Sequence, residues 1–238
     1  MQLSVVIPVK NEADNIVALV DEVEAALAGR FDFEILVVDD GSTDATADKL
    51  KAAKARLPRL RIIRHAANRG QSTGVWTGVR RARGEWIATL DGDGQNDPAD
   101  LPQMFARLSV EPKPDMVAGH RVNRKDTASK KIASRLANRI RGALLKDETP
   151  DSGCGIKIFR RELFLELPYF DHMHRFLPAL ARRHGARVVS VPVNHRPRGA
   201  GTSNYTNFGR LKAGILDLIG VWWLIRRSRL PIDAREET

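Results

Sequence analysis

Between residues 3 and 119, short β-rich apolar runs alternate with helix-forming stretches, and this alternation restricts the fold more than any other feature of the chain. The runs occupy 3–9, 34–40, 60–65, 85–91 and 115–119. Between them, Ile16, Leu19, Val20, Val23 and Leu27 repeat at helical spacing, and 45–55 and 73–83 are rich in helix formers. A βαβ rhythm of this kind predicts an α/β fold, with a mainly parallel sheet covered by helices. Such sheets bind ligands at the carboxyl ends of their strands. The strand exits here are polar: Pro8-Val9-Lys10-Asn11-Glu12, Asp39-Asp40-Gly41-Ser42 and Asp91-Gly92-Asp93.

Past Gly119 the pattern changes. A basic amphipathic helix is expected at 130–146, with Ile132, Leu136, Ile140 and Leu144 on one face and Lys131, Arg135 and Arg139 on others. A strand at 155–159, a helix at 173–184 and a strand at 187–193 follow. In the tail, Phe208, Leu211, Ile215, Leu218, Ile219 and Trp222 share a face, and Arg226, Arg227 and Arg229 come directly after. Asp217 interrupts this stretch, which is too short and too polar to cross a bilayer. Paired Trp222 and Trp223 beside a cationic cluster suit a helix lying in a headgroup layer, the alternative being a helix docked on the core. The expected division is a catalytic domain at 1–205 and an amphipathic, membrane-interfacial segment at 206–238.

Charge supports an anionic partner. The net charge of +10 is concentrated in two stretches: residues 119–146 carry nine Lys or Arg and one acid, and residues 195–229 carry seven and one. Nucleic acid, an anionic membrane and a phosphorylated ligand all fit such patches. Nucleic acid is disfavoured, because only 6% of residues are aromatic and the paired tryptophans lie in an apolar tail. The single Cys154 excludes an internal disulfide. The opening MQLSVVIPVKNE lacks a basic segment followed by a long apolar stretch, so a cytoplasmic protein, peripheral on the membrane, is expected.

The segment with the most chemical content is Trp86-Ile-Ala-Thr-Leu-Asp91-Gly-Asp93-Gly-Gln95-Asn-Asp97-Pro98. A hydrophobic strand delivers two carboxylates, two residues apart, into a glycine-permitted turn. Such a pair can hold a hard divalent cation, which would neutralise a diphosphate leaving group. A calcium loop of the EF-hand type needs glycine and glutamate where Asn96 and Pro102 stand. A phosphatase of the haloacid-dehalogenase type places its acid pair on the first strand, not the fourth. A dinucleotide fold needs a glycine-rich first turn, and residues 8–15 contain no glycine.

Taken together, VVIPVKNEADNI, VVDDGSTDAT, NRGQSTG, TLDGDGQNDP, AGHR, DSGCGIKIFRREL and VPVNHRPRGAGTSNY resemble the family-2 glycosyltransferases in order and spacing, over about residues 3–225. Within them the resemblance is to the dolichyl-phosphate mannose synthase-like group. It implies a Rossmann-like, GT-A type nucleotide-sugar-binding domain. It also implies roles for residues. Pro8, Asn11, Glu12, Asp39 and Ser42 would form the nucleotide pocket, with Gln71, Gly92 and Arg198 also on the donor. Asp91 and Asp93, with Gln95, would take Mg2+ or Mn2+ and the donor phosphates. Arg121, Lys131, Arg135 and Lys157 would meet the acceptor phosphate, and Asp151 would stand near the acceptor. Asn204 replaces the lysine usual after Ser203, a departure in the phosphate-binding tail element.

The implied reaction is inverting transfer of a sugar from a UDP- or GDP-sugar to polyprenyl phosphate. A phosphate monoester acceptor is largely ionised at neutral pH and needs no general base. Catalysis would then be positional and electrostatic. Partners would be the nucleotide sugar, the lipid acceptor, a membrane surface and a small membrane subunit of the kind some relatives use. A soluble acceptor is the alternative. His174 is a further candidate to face the sugar or lipid phosphate, a structural surface role being its alternative.

Overall fold

The computed structural model describes residues 1–122, 139, 141–197 and 207–227. Its centre is a seven-stranded sheet in the order β3-β2-β1-β4-β6-β5-β7. The first half follows the expected rhythm: β1 (Leu3–Val9), α1 (Ile16–Leu27), β2 (Phe33–Asp39), α2 (Thr46–Arg56), β3 (Leu60–Arg64), α3 (Gln71–Arg81) and β4 (Trp86–Thr89). A 3-10 turn (Pro98–Asp100) runs into α4 (Leu101–Arg107), which leads to β5 (Met116–Arg121). Then come β6 (Lys157–Arg160), α5 (Arg161–Glu166), α6 (Leu177–Arg183), β7 (Val188–Val193) and the C-terminal α7 (Asn207–Arg227).

β1 pairs in parallel with both β2 and β4. The chain thus winds outward from β1 to β3 on one side, then returns to place β4 on the other. That reversal opens a crevice beyond the carboxyl ends of β1 and β4, the place where open α/β sheets bind ligands. β6 is antiparallel to both its neighbours, β4 and β5. Its first residue, Lys157, therefore pairs with Thr89 and Ala118 near the ends of strands running the other way. An antiparallel insertion is what carries a lysine from the start of one strand to the ligand edge of the sheet.

Both faces of the sheet are covered, which explains why β1 and β2 read as continuous apolar runs rather than alternating ones. One core cluster joins Val5, Ile7, Ile35 and Val37 to Ile16, Leu19, Val23 and Leu27 of α1. The other joins Val6 and Leu36 to Val75 and Val79 of α3 and to Leu177 and Leu180 of α6. Each fully buried Leu, Ile or Val contributes about 1.5–3 kcal/mol relative to exposure. α3 lies unusually close to β1: a Cβ at Gly78 would overlap Val6, and one at Gly74 would fall 2.7 Å from Cβ of Pro8.

The tail departs from the expected single apolar face. α7 has two. Val221 is 1% exposed, and Leu218, Trp222, Leu224 and Ile225 pack against the core. Ile215, Leu216, Ile219 and Trp223 are each more than half exposed on the outer side. Asp217 is turned inward and bonds Nδ1 of His172 at 2.8 Å. No helix among the described residues is long and apolar enough to cross a membrane. Of the basic stretch expected to be helical, 141–145 is helical, with Arg141 buried against Asp147 and Leu144 exposed rather than packed. Lys131 and Arg135, and in the tail Arg198 and Asn204, lie outside the described residues.

Candidate active site

The loops leaving β1 and β2 are stapled together. Asn11 adopts a left-handed backbone (φ 54°), which turns its amide toward β2. Its N–H donates to Oγ of Ser42 at 2.9 Å, and its Oδ1 accepts from the N–H of Thr43 at 2.8 Å. The Glu12 N–H donates to Oγ1 of Thr46 at 2.9 Å. Behind them Asp39 is fully buried; its Oδ1 accepts from the Ser42 N–H, while Oδ2 has an Arg64 guanidinium at 3.3 Å but no hydrogen bond. Pro8 lies just before, under α3. The five residues expected to form a nucleotide pocket therefore occupy one edge, around a buried carboxylate oxygen that lacks a donor.

Asp40, by contrast, faces another loop. It accepts from the N–H groups of Arg69 and Gly70 and from His65, which fixes the entry to α3. This loop brings Gln71 to the crevice. Its Nε2 donates to Oδ1 of Asp91 at 2.7 Å.

The turn after β4 holds the acid pair. Asn96 accepts the Asp91 N–H at 3.1 Å, and Asp93 accepts the Gln95 N–H at 3.1 Å. Gly92 packs against Val9, where a Cβ would not fit without displacing that side chain. Gly155 lies against the Asp91 carboxylate so closely that any Cβ would overlap it. Arg196 closes the turn from outside, bonding the Gly94 and Asn96 carbonyls and Glu22. Asn96 and Arg196 are organising residues that sequence reasoning missed. Nothing in their spacing marks them: Asn96 acts through its side-chain oxygen on the Asp91 N–H, and Arg196 reaches the Gly94 and Asn96 carbonyls from a distant segment.

Burial pushes the Asp91 carboxyl above its usual range, and the Asp93 charge pushes it further. A cation would relieve both effects. The donor set is oxygen only, which suits Mg2+ or Mn2+ and does not choose between them. Among the described residues no third His, Cys, Asp or Glu joins the pair. Ions of this type commonly complete their shell with substrate phosphates and water, so the pair fits the role.

Of the cations expected to meet phosphate, Arg121 and Lys157 lie in the described segments, and both stand beside the acid pair. Arg121 makes a two-pronged bond to Asp151, Nε to Oδ2 at 2.6 Å and Nη2 to Oδ1 at 2.7 Å. Burial alone would lower the guanidinium pKa, but the Asp151 bonds outweigh it and raise it. Asp151 thus holds Arg121 in place. Lys157 is buried, and its ammonium donates to the Cys154 carbonyl. Desolvation lowers its pKa, opposed by the nearby Cys154, Asp91 and Asp151. Cys154 is buried, and burial raises its thiol pKa, so it is an unreactive wall. Gln95 belongs to the acid turn, where its carbonyl accepts from the Arg196 N–H at 2.9 Å.

A small cleft opens here, bordered by Pro8, Gln71, Asp91, Lys157, His174 and Leu177. Its walls are apolar on one side and carry convergent polar groups on the other, as substrate pockets do.

Comparison with known proteins places this geometry in a family. Residues 4–167 match the family model described as glycosyl transferase family 2. The dodecaprenyl-phosphate galacturonate synthase of Rhizobium johnstonii is 36% identical over 97% of this chain and 69% of its own length. The undecaprenyl-phosphate 4-deoxy-4-formamido-L-arabinose transferase of an Enterobacter strain is 36% identical over 92% of this chain and 66% of its own. The chain thus spans about two thirds of the length of these relatives. Among solved structures, glucosyl-3-phosphoglycerate synthase from Mycobacterium tuberculosis with Mg2+ and UDP superposes with a TM-score of 0.72 at 17% identity, over 97% of this chain and 81% of the other. A mannosyltransferase from Pyrobaculum calidifontis with GDP-Man and Mn2+ gives 0.72 at 22%, over 97% and 66%. The sheet order, the acid turn at its reversal point and the matched span agree, and the chain belongs to glycosyl transferase family 2, as an enzyme with a GT-A type α/β fold.

Proposed function

We propose that the protein transfers a sugar from a nucleotide-sugar donor to polyprenyl phosphate at a membrane surface, with inversion at the anomeric carbon. The observation that carries this reading is the juxtaposition of an acid pair with two cations: Asp91 and the buried Lys157 border one cleft, and the partly buried Arg121 lies near enough to act on the Asp91 charge. A diphosphate held through a cation and a phosphate held by guanidinium and ammonium are what those two halves suit. Relatives that match almost the full chain act on dodecaprenyl and undecaprenyl phosphate by name, which supports the same acceptor class here.

In this reading Pro8, Asn11, Glu12, Asp39 and Ser42 receive the nucleoside, and Oδ2 of Asp39, which lacks a hydrogen bond, accepts from base or ribose. Asp91 and Asp93 hold Mg2+ or Mn2+, with Gln71 orienting Asp91 through its 2.7 Å bond. The ion supplies charge neutralisation for the departing nucleoside diphosphate. Arg121, fixed by Asp151, and Lys157 orient the acceptor phosphate so that one oxygen addresses the anomeric carbon. Asp151 is engaged by Arg121, which fits a positioning role better than that of a base. Lys131, Arg135 and Arg198 remain proposed phosphate contacts.

The outer face of α7, with Trp223 and the cationic Arg226 and Arg227 at its end, is the proposed contact with the cytoplasmic face of an anionic membrane. A donor screen tests the function. Purified protein, Mg2+ or Mn2+ and a short polyprenyl phosphate are combined with a panel of UDP- and GDP-sugars, and nucleoside diphosphate release is followed with and without lipid. Lipid-dependent release from one donor, lost in Asp93→Ala, supports the proposal. Release indifferent to lipid points to a soluble acceptor, and release that requires added membrane extract points to a small partner subunit.

A further inference from the structure

The loop between α5 and α6 carries His174 into the cleft, 102 residues from the serine that holds it there. Ser72 is fully buried in the first turn of α3. Its Oγ lies 2.7 Å from Nδ1 of His174 and accepts the His174 backbone N–H at 3.3 Å. With one lone pair taken by that N–H, a hydroxyl that donates to Nδ1 is the arrangement that also uses its proton. An imidazole that accepts at Nδ1 carries its proton on Nε2. Nε2 has no partner among the described residues, and the ring borders the same cleft as Asp91 and Lys157. The second attachment of this loop is the His172–Asp217 bond to α7 at 2.8 Å, so both ends of the short segment are tied to packed helices.

We propose that His174 is a donor-sugar recognition residue whose Nε2–H bonds an uncharged oxygen substituent of the transferred sugar; this rests on the nucleotide-sugar reading above. The chemistry of the surroundings selects the sugar over the diphosphate. Burial, Arg175 and Lys157 all hold the His174 pKa well below the usual histidine value, so the ring is neutral at working pH. A neutral donor adds little to a site for phosphate, where cations serve, and is suited to a hydroxyl. Leu177, Val75 and Pro8 supply apolar wall against which a sugar ring can lie. Ser72 is a positioning residue in this scheme, since it touches the imidazole and not the sugar.

The test separates sugar from nucleotide. Steady-state kcat/KM for the sugar nucleotide and calorimetric Kd for the free nucleoside diphosphate, both with Mn2+, are measured for the full chain and for His174→Phe, His174→Gln and Ser72→Ala. His174→Phe is expected to lower kcat/KM about tenfold or more while the nucleoside diphosphate Kd moves less than twofold. His174→Gln, which restores an N–H donor, should recover part of the loss, and Ser72→Ala should fall between. Deoxy donors supply a second reading on the wild-type protein alone: removal of one hydroxyl should cost the wild type what His174→Phe already loses. Unchanged kcat/KM in His174→Phe overturns the proposal, as does an equal loss of nucleotide and sugar-nucleotide affinity. A wild-type chain that binds nucleoside diphosphate but no sugar nucleotide refutes the transferase reading instead, and is told apart by being independent of His174.

Discussion

Replacing Gly155 with alanine probes the acid pair without touching a carboxylate. The Gly155 backbone is not in the left-handed region, so alanine is conformationally admissible there. Its Cβ, however, would lie 2.6 Å from Oδ1 of Asp91 and closer still to Cγ and Oδ2. The neighbour that must yield is the end of a side chain rather than backbone. Asp91 is therefore expected to swing away, at about 0.5–1.5 kcal/mol for a displaced rotamer and about 1 kcal/mol for the lost Gln71 bond. The fold should survive a loss of roughly 2 kcal/mol. Activity should not: a displacement near 1 Å in a positioned group costs on the order of 100-fold. The assay is nucleoside diphosphate release across a Mn2+ titration, with denaturant melts alongside. The expected result is activity down about 100-fold, a raised Mn2+ requirement and a modest stability loss. Near wild-type activity at the wild-type Mn2+ concentration would refute the assignment of Asp91 as a group whose exact place matters.

Other perturbations follow from the same geometry. Asp151→Ala leaves the Arg121 guanidinium without its two-pronged partner, so kcat/KM for the lipid acceptor should fall while donor Kd holds; an unchanged acceptor KM would detach Arg121 from that step. Gly78→Leu forces a side chain into Val6 and should cost several kcal/mol or abolish folding, read by urea melts, because α3 cannot back away without opening the core. Glu34 is buried, and although burial raises its pKa, bonds from Arg61, Ser4 and the Arg83 N–H outweigh this and lower it. Its stabilisation is therefore present above the unfolded-state carboxyl pKa and lost as pH falls through the lower folded value. Glu34→Gln should flatten that acid limb of the stability curve, and an unaltered limb would contradict the pairing. Trp223→Glu on the outer face of α7 should reduce flotation with anionic vesicles at low salt while leaving the melting curve within a few tenths of a kcal/mol; equal flotation would remove that face from the membrane contact.

Local patterns alone determined much of this protein. The alternation of apolar strands and helices specified a mainly parallel sheet, because buried parallel strands must be apolar on both faces and their crossovers must be long. The polar strand exits marked the ligand edge, and the acid pair was legible because both carboxylates lie in one short turn. Folding alone decided what joins distant segments. Lys157 reaches the crevice because β6 is antiparallel, a property that no local period encodes. Asp151 turned out to hold Arg121, a pairing across 30 residues set by how two loops meet. Arg196 braces the acid turn through the Gly94 and Asn96 carbonyls, which carry no sequence signal, and Asn96 through its side-chain bond to the Asp91 N–H. The tail was read as one apolar face, and the structure splits it into a docked side and an open side. Hydrophobic spacing reports which residues avoid water, whereas the surface that covers them is fixed only when the whole chain has packed.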